Sequence, residues 1–109
     1  MTTHDATVAA QVQQGVLSAN ITGDNVVISG VVGKLTKVFQ ILFVVSASTN
    51  ITFKSGSVAI GGPFNMLANG SFVLDYIQLP ITCLNLGDNF VINQSGAATI
   101  GGIIWYAQI

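Results

Sequence analysis

Charged side chains are what this chain has least of. Its 109 residues include 3 lysines, no arginine, 4 aspartates, no glutamate and 1 histidine, while 50% of the residues are apolar. A lone monomer of this composition would have difficulty covering its surface with solvating groups. Because the buried centres of interfaces are poor in charge, the composition predicts that the chain buries part of its surface against copies of itself or a larger assembly.

The same lack of charge weighs against several classes of function. General acid–base, nucleophilic and metal chemistry draw on His, Glu, Asp, Lys, Arg and Cys, so we expect no enzyme and no cofactor. Three lysines and a net charge of −1 cannot neutralise many phosphates, so we expect no nucleic-acid partner. The longest apolar stretch, 38–47, is much shorter than the ~20 residues needed to span a bilayer, so we expect no membrane partner.

The chain has a single cysteine, Cys83. One cysteine cannot form an internal disulfide or a metal-binding pair, and its apolar surroundings predict a buried, unreactive thiol. Stability must therefore come from packing or association. Residues 1–5 lack the basic and apolar segments of a signal peptide, so we expect the protein to be made and kept in a cytoplasm.

The hydrophobic pattern predicts strands. Ile51 and Phe53 alternate with polar neighbours, and Phe72 and Leu74 lie at the same spacing, which is the period of two expected for a half-buried sheet. Turn signals recur about every 8 to 12 residues, and Asn69-Gly70 predicts a two-residue hairpin turn. The pattern indicates a single all-β domain, an antiparallel β-sandwich of jelly-roll-like type with about eight strands.

The stretch 37–45 is apolar on both of its faces. One face carries Phe39, Ile41, Phe43 and Val45, and the other carries Val38, Leu42 and Val44. Strands that are buried on both faces show such continuous apolar runs. We therefore expect this strand to be covered on both sides.

Two further patterns bear on the organisation of the chain. In residues 1–20 the valines recur at helical spacing, but Gly15 and the lack of helix-capping residues argue against a helix. We therefore expect an N-terminal arm or a first strand in 1–20 and the sandwich domain in 21–109. The segments 55–62 and 95–102 both begin with Ser-Gly and end with Ile-Gly-Gly. This weak repeat predicts two hairpins of similar geometry.

A few polar and aromatic residues are candidates for metal-binding or sugar-binding sites. His4 beside Asp5 is at most half a metal site and lies at a terminus. Two Gly-Asp-Asn triplets could offer oxygens to calcium, but turns in which the Asx side chain bonds nearby backbone are the favoured interpretation. Phe64, Trp105 and Tyr106 could form a sugar-stacking platform, although core or interface positions are favoured for them.

Between residues 34 and 106 the chain carries a series of distinctive short segments. They are Lys37, Val45-Ser46-Ala47, the Asn-Ile-Thr-Phe-Lys-Ser-Gly block at 50–56, Gly61-Gly62, Ala68-Asn69-Gly70, Leu84-Asn85-Leu86, Ser95 and Gly102-Ile103-Ile104-Trp105-Tyr106. Together they resemble the small capsid decoration, or head cement, proteins of tailed phages. The resemblance covers about two-thirds of the chain, and the first 33 residues lie outside it.

The resemblance implies a structural virion protein. Such proteins are β-sandwich subunits that trimerise and bind the outer surface of an icosahedral head, which they stabilise. The implied partners are the major capsid protein and two further copies of the chain, and the implied location is the outer face of the virion after synthesis in the host cytoplasm. The same kind of domain could instead serve as a head-fibre or tail-associated module that binds carbohydrate or another host surface.

Candidate contact residues accompany this interpretation, and none of them is catalytic, metal-binding or cofactor-binding. A polar N-terminal arm would suit capsid contact, although an ordinary frayed terminus fits the composition equally well. The candidates for capsid contact are Thr2, Thr3, His4, Val8 and Val12. The candidates for the trimer interface or the core are Phe39, Phe43, Trp105 and Tyr106.

Overall fold

The computed structural model describes residues 12–75 and 79–109, and within them the regular structure is entirely β. The strands are β1 (Gln13–Ala19), β2 (Gly23–Ile28), β3 (Thr36–Val45), β4 (Thr49–Ser55), β5 (Val58–Met66), β6 (Ser71–Asp75), β7 (Ile81–Thr82), β8 (Phe90–Gln94) and β9 (Ile100–Gln108). The prediction of an all-β chain with about eight strands is confirmed, the two-residue β7 being a minor addition.

The strands form two antiparallel sheets that pack face to face. Sheet A has the order β1-β9-β3-β6, with β7 also pairing with β3, and sheet B has the order β2-β8-β4-β5. Successive strands alternate between the sheets, except that β4 and β5 are neighbours in sheet B and β6 and β7 both lie in sheet A. With the two-residue β7 set aside, the four remaining strands of sheet A and the four strands of sheet B follow the strand order of a jelly roll, which confirms the predicted fold class.

The core between the sheets centres on phenylalanines. The ring centroid of Phe53 lies 5.4 to 5.6 Å from those of Phe64, Phe72 and Phe90, and Phe43 stacks on Phe72 at 5.2 Å. A phenylalanine that is fully buried contributes about 1.5–3 kcal/mol to stability. The alternating apolar positions read from the sequence therefore supply the inner faces of both sheets.

One prediction for β3 is wrong, namely that Phe39 shares a face with Ile41, Phe43 and Val45. A register shift between Val38 and Gln40 turns Val38 into the core, whereas Phe39 is buried outside the main core cluster. Leu42 and Val44 on the opposite face are 38% and 47% exposed within one chain, because a two-layer sandwich leaves the outer face of each sheet open. Coverage of this second face of β3 stays a prediction that one copy of the chain does not test.

Sheet A is tight where β9 passes β3. A Cβ added to Gly102 would lie 1.8 Å from the backbone oxygen of Leu42, so any larger side chain would push the two central strands apart. The neighbouring Gly101 has nothing within 4 Å of such a Cβ. Close approach of two backbones thus requires glycine at one of these positions and not at the other.

The turns follow the predicted chemistry but not all of the predicted connections. Gly56, with φ of 59°, begins the tight turn between β4 and β5. Asn69 has φ of 64°, but its turn joins β5 of sheet B to β6 of sheet A, so the predicted hairpin is wrong. The segment 95–102 likewise crosses from β8 to β9 in the other sheet, so its predicted likeness to 55–62 is also wrong.

The asparagines of the two Gly-Asp-Asn triplets bond to loop backbone. The first triplet is not the predicted turn, because it forms the start of β2, but the side-chain amide of Asn25 does donate to the nearby carbonyl oxygens of Ile21 at 2.9 Å and Gly23 at 3.1 Å. The side-chain oxygen of Asn89 instead accepts from the backbone N–H of Gly30 at 2.7 Å. The second triplet therefore ties two loops together.

Candidate functional site

Exposed aliphatic side chains concentrate in two places on the described part of the molecule. The first is the outer face of sheet A, with Val16, Leu42, Val44 and Val73. The second is one end of the sandwich, formed by the loops 29–35 and 83–89 together with the last residue, and its exposed aliphatic residues are Val31, Val32, Leu84, Leu86 and Ile109. We call these surfaces the outer face and the loop end.

A row of four aliphatic residues crosses the outer face from edge to edge. Strand register places Val16 of β1 opposite Ile103 of β9, Ile103 opposite Leu42 of β3, and Leu42 opposite Val73 of β6. Directly opposed residues in an antiparallel pair have Cβ atoms about 4.5–5.5 Å apart, so the four side chains form one continuous apolar stripe.

The two rows that flank this stripe are nearly uncharged. One consists of Ser18, Gly101, Val44 and Ser71, and the other of Gln14, Trp105, Gln40 and Asp75. Among these three rows, Asp75 at one corner is the one charged side chain. The register of the rows is unbroken, because the shift in β3 lies outside them, between Val38 and Gln40.

The outer face of sheet B has a different character. Lys54 Nζ lies 3.0 Å from both carboxylate oxygens of Asp24, and the Asn93 amide donates to the same carboxylate at 2.6 Å. The hydrogen bond from Asn93, followed by that from Lys54, lowers the pKa of Asp24. Sheet B thus carries a bonded pair of opposite charges on its outer face, whereas the three rows of sheet A carry Asp75 alone and Lys37 lies on β3 beyond them.

Backbone hydrogen bonds brace the loop end. Leu35 and Ile109 exchange two backbone hydrogen bonds of 3.1 Å, which tie the loop before β3 to the end of β9. Gly87 N–H donates to the oxygen of Lys34 at 2.9 Å and so joins the two loops to each other. The aliphatic side chains of this end, including Val32 at 96% exposure, are therefore presented by connected loops.

A polar cluster lies beneath these loops. Ser55 Oγ donates to Asp88 Oδ2 at 2.8 Å and accepts from the backbone N–H of Leu84 at 2.8 Å, while the Asn85 amide donates to the same carboxylate at 3.2 Å. The carboxylate of Asp88 is thereby engaged within the fold. Among the described loop-end residues, Lys34 is the charged residue whose side chain is exposed.

Cys83 is buried next to this cluster, as the sequence predicted. Burial raises the pKa of its thiol, the hydrogen bond with Ser55 opposes this, and the Asp88 carboxylate adds to the increase. A thiol with a raised pKa forms little thiolate, which is the nucleophilic species.

The four aromatic candidates occupy different environments. Phe43 lies in the core, Tyr106 is half-buried against the core, and Phe39 is buried beside the β3 bulge. Trp105 is half-buried in a row of the outer face. The sugar-stacking platform considered as an alternative for Phe64, Trp105 and Tyr106 is not assembled, because Phe64 packs between the sheets against Phe53 and Phe72.

Most candidates for capsid contact lie outside the described residues. They are Thr2, Thr3, His4 and Val8. Val12 is described and is half-buried directly before β1. Because Gln13 pairs with Tyr106, near the end of β9, the chain enters the sandwich at the loop end.

Neither surface was identified from the sequence. The apolar second side of β3, together with Val16 and Ile103, is the sequence feature that indicates the outer face. These residues become neighbours only through the strand register, which the sequence alone does not provide. Within residues 12–75 and 79–109, no group of three or more His, Cys, Asp or Glu side chains is placed to hold a metal ion. The same residues include no helix with the length and apolar character needed to cross a bilayer.

Comparisons of the chain with protein-family models, with curated proteins and with solved structures find no match.

Proposed function

We propose that the chain is a structural virion protein, a capsid decoration or cement protein that forms a homotrimer and binds the major capsid protein on the outer surface of an icosahedral phage head. The observation that carries the proposal is the loop end. Five exposed aliphatic side chains project there from braced loops, with Lys34 as the exposed charge among the described residues. Such a concentration of exposed apolar side chains marks an interaction surface.

The physical properties of the loop end suit a protein that stabilises a shell. Apolar area removed from water contributes about 25 cal/mol per Å², a term that does not depend on charge pairing. Attachment through the loop end therefore persists at salt concentrations that screen ion pairs. Three linked copies bind with far greater avidity than one, so a modest contact per subunit is sufficient.

The position at which β1 begins agrees with attachment through this end. Val12, the first described residue, directly precedes β1 at the loop end. In the proposal, the N-terminal candidates for capsid contact and the loop end act on the same partner. Deleting residues 1–11 should accordingly weaken attachment and leave the fold intact.

The experiment measures binding to expanded heads that lack the decoration protein, taken from a tailed phage whose genome encodes this chain. Leu86→Asp at the loop end is compared with Leu67→Asp, since the two leucines are exposed by 62% and 78% and Leu67 lies in a turn at the opposite end. Loss of an apolar contact worth about 1.5 kcal/mol weakens the binding of each subunit to the head about tenfold. We expect Leu86→Asp to bind at least tenfold more weakly and Leu67→Asp to bind like the wild type.

The possible results distinguish an error in the proposed function from an error in the proposed attachment surface. If the wild type does not bind heads or does not raise their resistance to heat, the proposed function is wrong. If the wild type binds and both variants bind equally well, attachment does not use the loop end. Binding to host-cell surfaces without binding to heads would favour a fibre-associated module instead.

A further inference from the structure

We infer that the outer face of sheet A is the surface through which copies of this chain pack against one another. The inference rests on the proposed function for its threefold assembly and adds the surface that forms it. The occupant is a second copy of the same face. The surface is defined by the stripe of Val16, Ile103, Leu42 and Val73 and by the two rows that flank it.

The first argument is the composition of the central strands. β3 and β9 lie in the middle of sheet A and carry apolar side chains on both faces. Strands of this kind occur where both faces of a sheet are covered. In one copy of the chain the inner face packs on sheet B, while Leu42 and Val44 remain exposed. The second covering layer implied by the sequence must then come from another molecule.

The second argument is charge, which favours an identical partner. When copies of one face surround an axis, each charge on that face is repeated around the axis, and like charges held close together oppose association. The three rows avoid this conflict because Asp75 is their one charge and lies at a corner, and Lys37 lies on β3 beyond them. Gln14 and Gln40 carry amides, which donate and accept, so a glutamine of a neighbouring copy can pair with either of them. Sheet B, with Asp24 and Lys54 on its outer side, is less suited to such contact.

The third argument is shape. The register of β1, β9, β3 and β6 is unbroken through the stripe, so the surface is a regular pleated sheet without an intervening bulge. Regular sheet faces pack on one another about 10 Å apart. The other outer face is less regular, since register shifts occur in the β2–β8 and β4–β5 pairs of sheet B.

The threefold arrangement follows from these properties. Three outer faces that surround an axis parallel to the strands enclose their apolar stripes. Each copy then meets one neighbour through Val16 and Ile103 and the other through Leu42 and Val73. Because all strands of sheet A run along the axis, the three loop ends lie at the same end of the trimer, where they can bind one shell together.

The experiment measures the mass of the purified full chain by light scattering after size-exclusion chromatography. Val16→Asp combined with Val73→Asp places carboxylates on two edge strands of the outer face. The control is Val26→Asp, an exposed valine on edge strand β2 of sheet B. We expect the wild type and the control to have three times the 11.3 kDa mass of one chain, and the double variant to have the mass of one chain.

Circular dichroism and a thermal melt show whether the double variant is folded. If it is unfolded, Val16→Thr combined with Val73→Thr, which keeps the branched shape, replaces it, and we expect at least a tenfold higher dissociation constant. A monomeric wild type, or a double variant that is folded and still trimeric, would overturn the inference. If the wild type is a dimer and the double variant is a monomer, the outer face is supported as the contact surface and the proposed threefold is wrong. If the wild type is a trimer that binds no heads and the double variant is a monomer, the inference stands and the proposed function is wrong.

Discussion

Gln94 offers the sharpest test of how the two sheets are joined. Its side chain is 1% exposed at the end of β8, where the chain leaves sheet B for sheet A. Its amide nitrogen donates to the carbonyl oxygen of Ala98 at 2.9 Å, and its oxygen accepts from the Ala98 backbone N–H at 3.1 Å and from Thr49 Oγ1 at 3.4 Å. One side chain thus satisfies both backbone groups of a buried residue in the crossing loop.

Gln94→Met keeps the length of the side chain and removes its two bonds with Ala98, together with the bond from Thr49. The N–H and the carbonyl of Ala98 are then left buried without their partner, at a cost of about 1–3 kcal/mol each. We therefore expect the free energy of unfolding to fall by about 2–6 kcal/mol. A domain of this size has about 5–15 kcal/mol in total, so the melting temperature should fall by about 10 °C or more.

The assay is urea unfolding followed by circular dichroism, with Gln13→Met as the control. Gln13 is exposed at the start of β1, and a change there should alter stability by less than about 0.5 kcal/mol. If Gln94→Met unfolds within 0.5 kcal/mol of the wild type, the bonds to Ala98 do not hold the crossing loop as argued.

Gln94→Glu adds a pH dependence whose sign is fixed by the site. A protonated carboxyl both donates and accepts, as the amide does, whereas an ionised one loses the donor and places a charge in the core. Burial disfavours the charged form, so the pKa of this carboxyl rises in the folded state above its unfolded value of about 4.3. The variant should be closest to the wild type below about pH 4 and should lose stability as pH rises through the folded-state pKa. Equal losses at pH 4 and pH 7 would contradict this reasoning.

Two further substitutions test other parts of the fold. Gly102→Ala should destabilise the protein by about 3 kcal/mol or more, because its Cβ would overlap a backbone oxygen of β3, whereas Gly101→Ala should stay within about 0.5 kcal/mol; equal urea midpoints would contradict the close approach. The lowered pKa of Asp24 means that its stabilising contribution is present above the unfolded pKa and is lost as pH falls through the folded value. Asn93→Ala should raise the pKa of Asp24 in an NMR titration of its carboxyl carbon, and an unshifted titration would refute the assigned cause.

The fold class could be predicted because its signals are local. In β4, Ile51 and Phe53 alternate with more exposed neighbours, and both are buried as the period of two requires. Gly56 lies in the tight turn between β4 and β5 with a positive φ. Alternation and turn chemistry depend on neighbouring residues, so a single sequence contains them.

The connections and the register could not be predicted in the same way. The shift between Val38 and Gln40 exchanges the roles of Val38 and Phe39, and it depends on pairing with β9 rather than on β3 alone. The Asn69 turn has the expected chemistry, but whether it returns to the same sheet depends on the position of β6. Both outcomes are decided by contacts between segments that are distant in sequence.

The candidate surfaces depend on distant contacts to a greater degree. Val16 and Ile103 are separated by most of the chain and become neighbours only through the pairing of β1 with β9. The loop end likewise unites residues from two loops and the last strand, including Val32 and Leu86. The overall scarcity of charge predicted that a surface would be covered, but it gave no position for that surface.

The position of β9 has a consequence for how the protein is made. β9 lies between β1 and β3 in sheet A, although it is the last strand in chain order. On the ribosome, the facing edges of β1 and β3 have no partner until residues 100–108 have emerged. Pairing of such distant segments takes milliseconds to seconds rather than microseconds. During that interval β3 exposes backbone and apolar side chains, which makes the incomplete chain a substrate for chaperones and prone to aggregation.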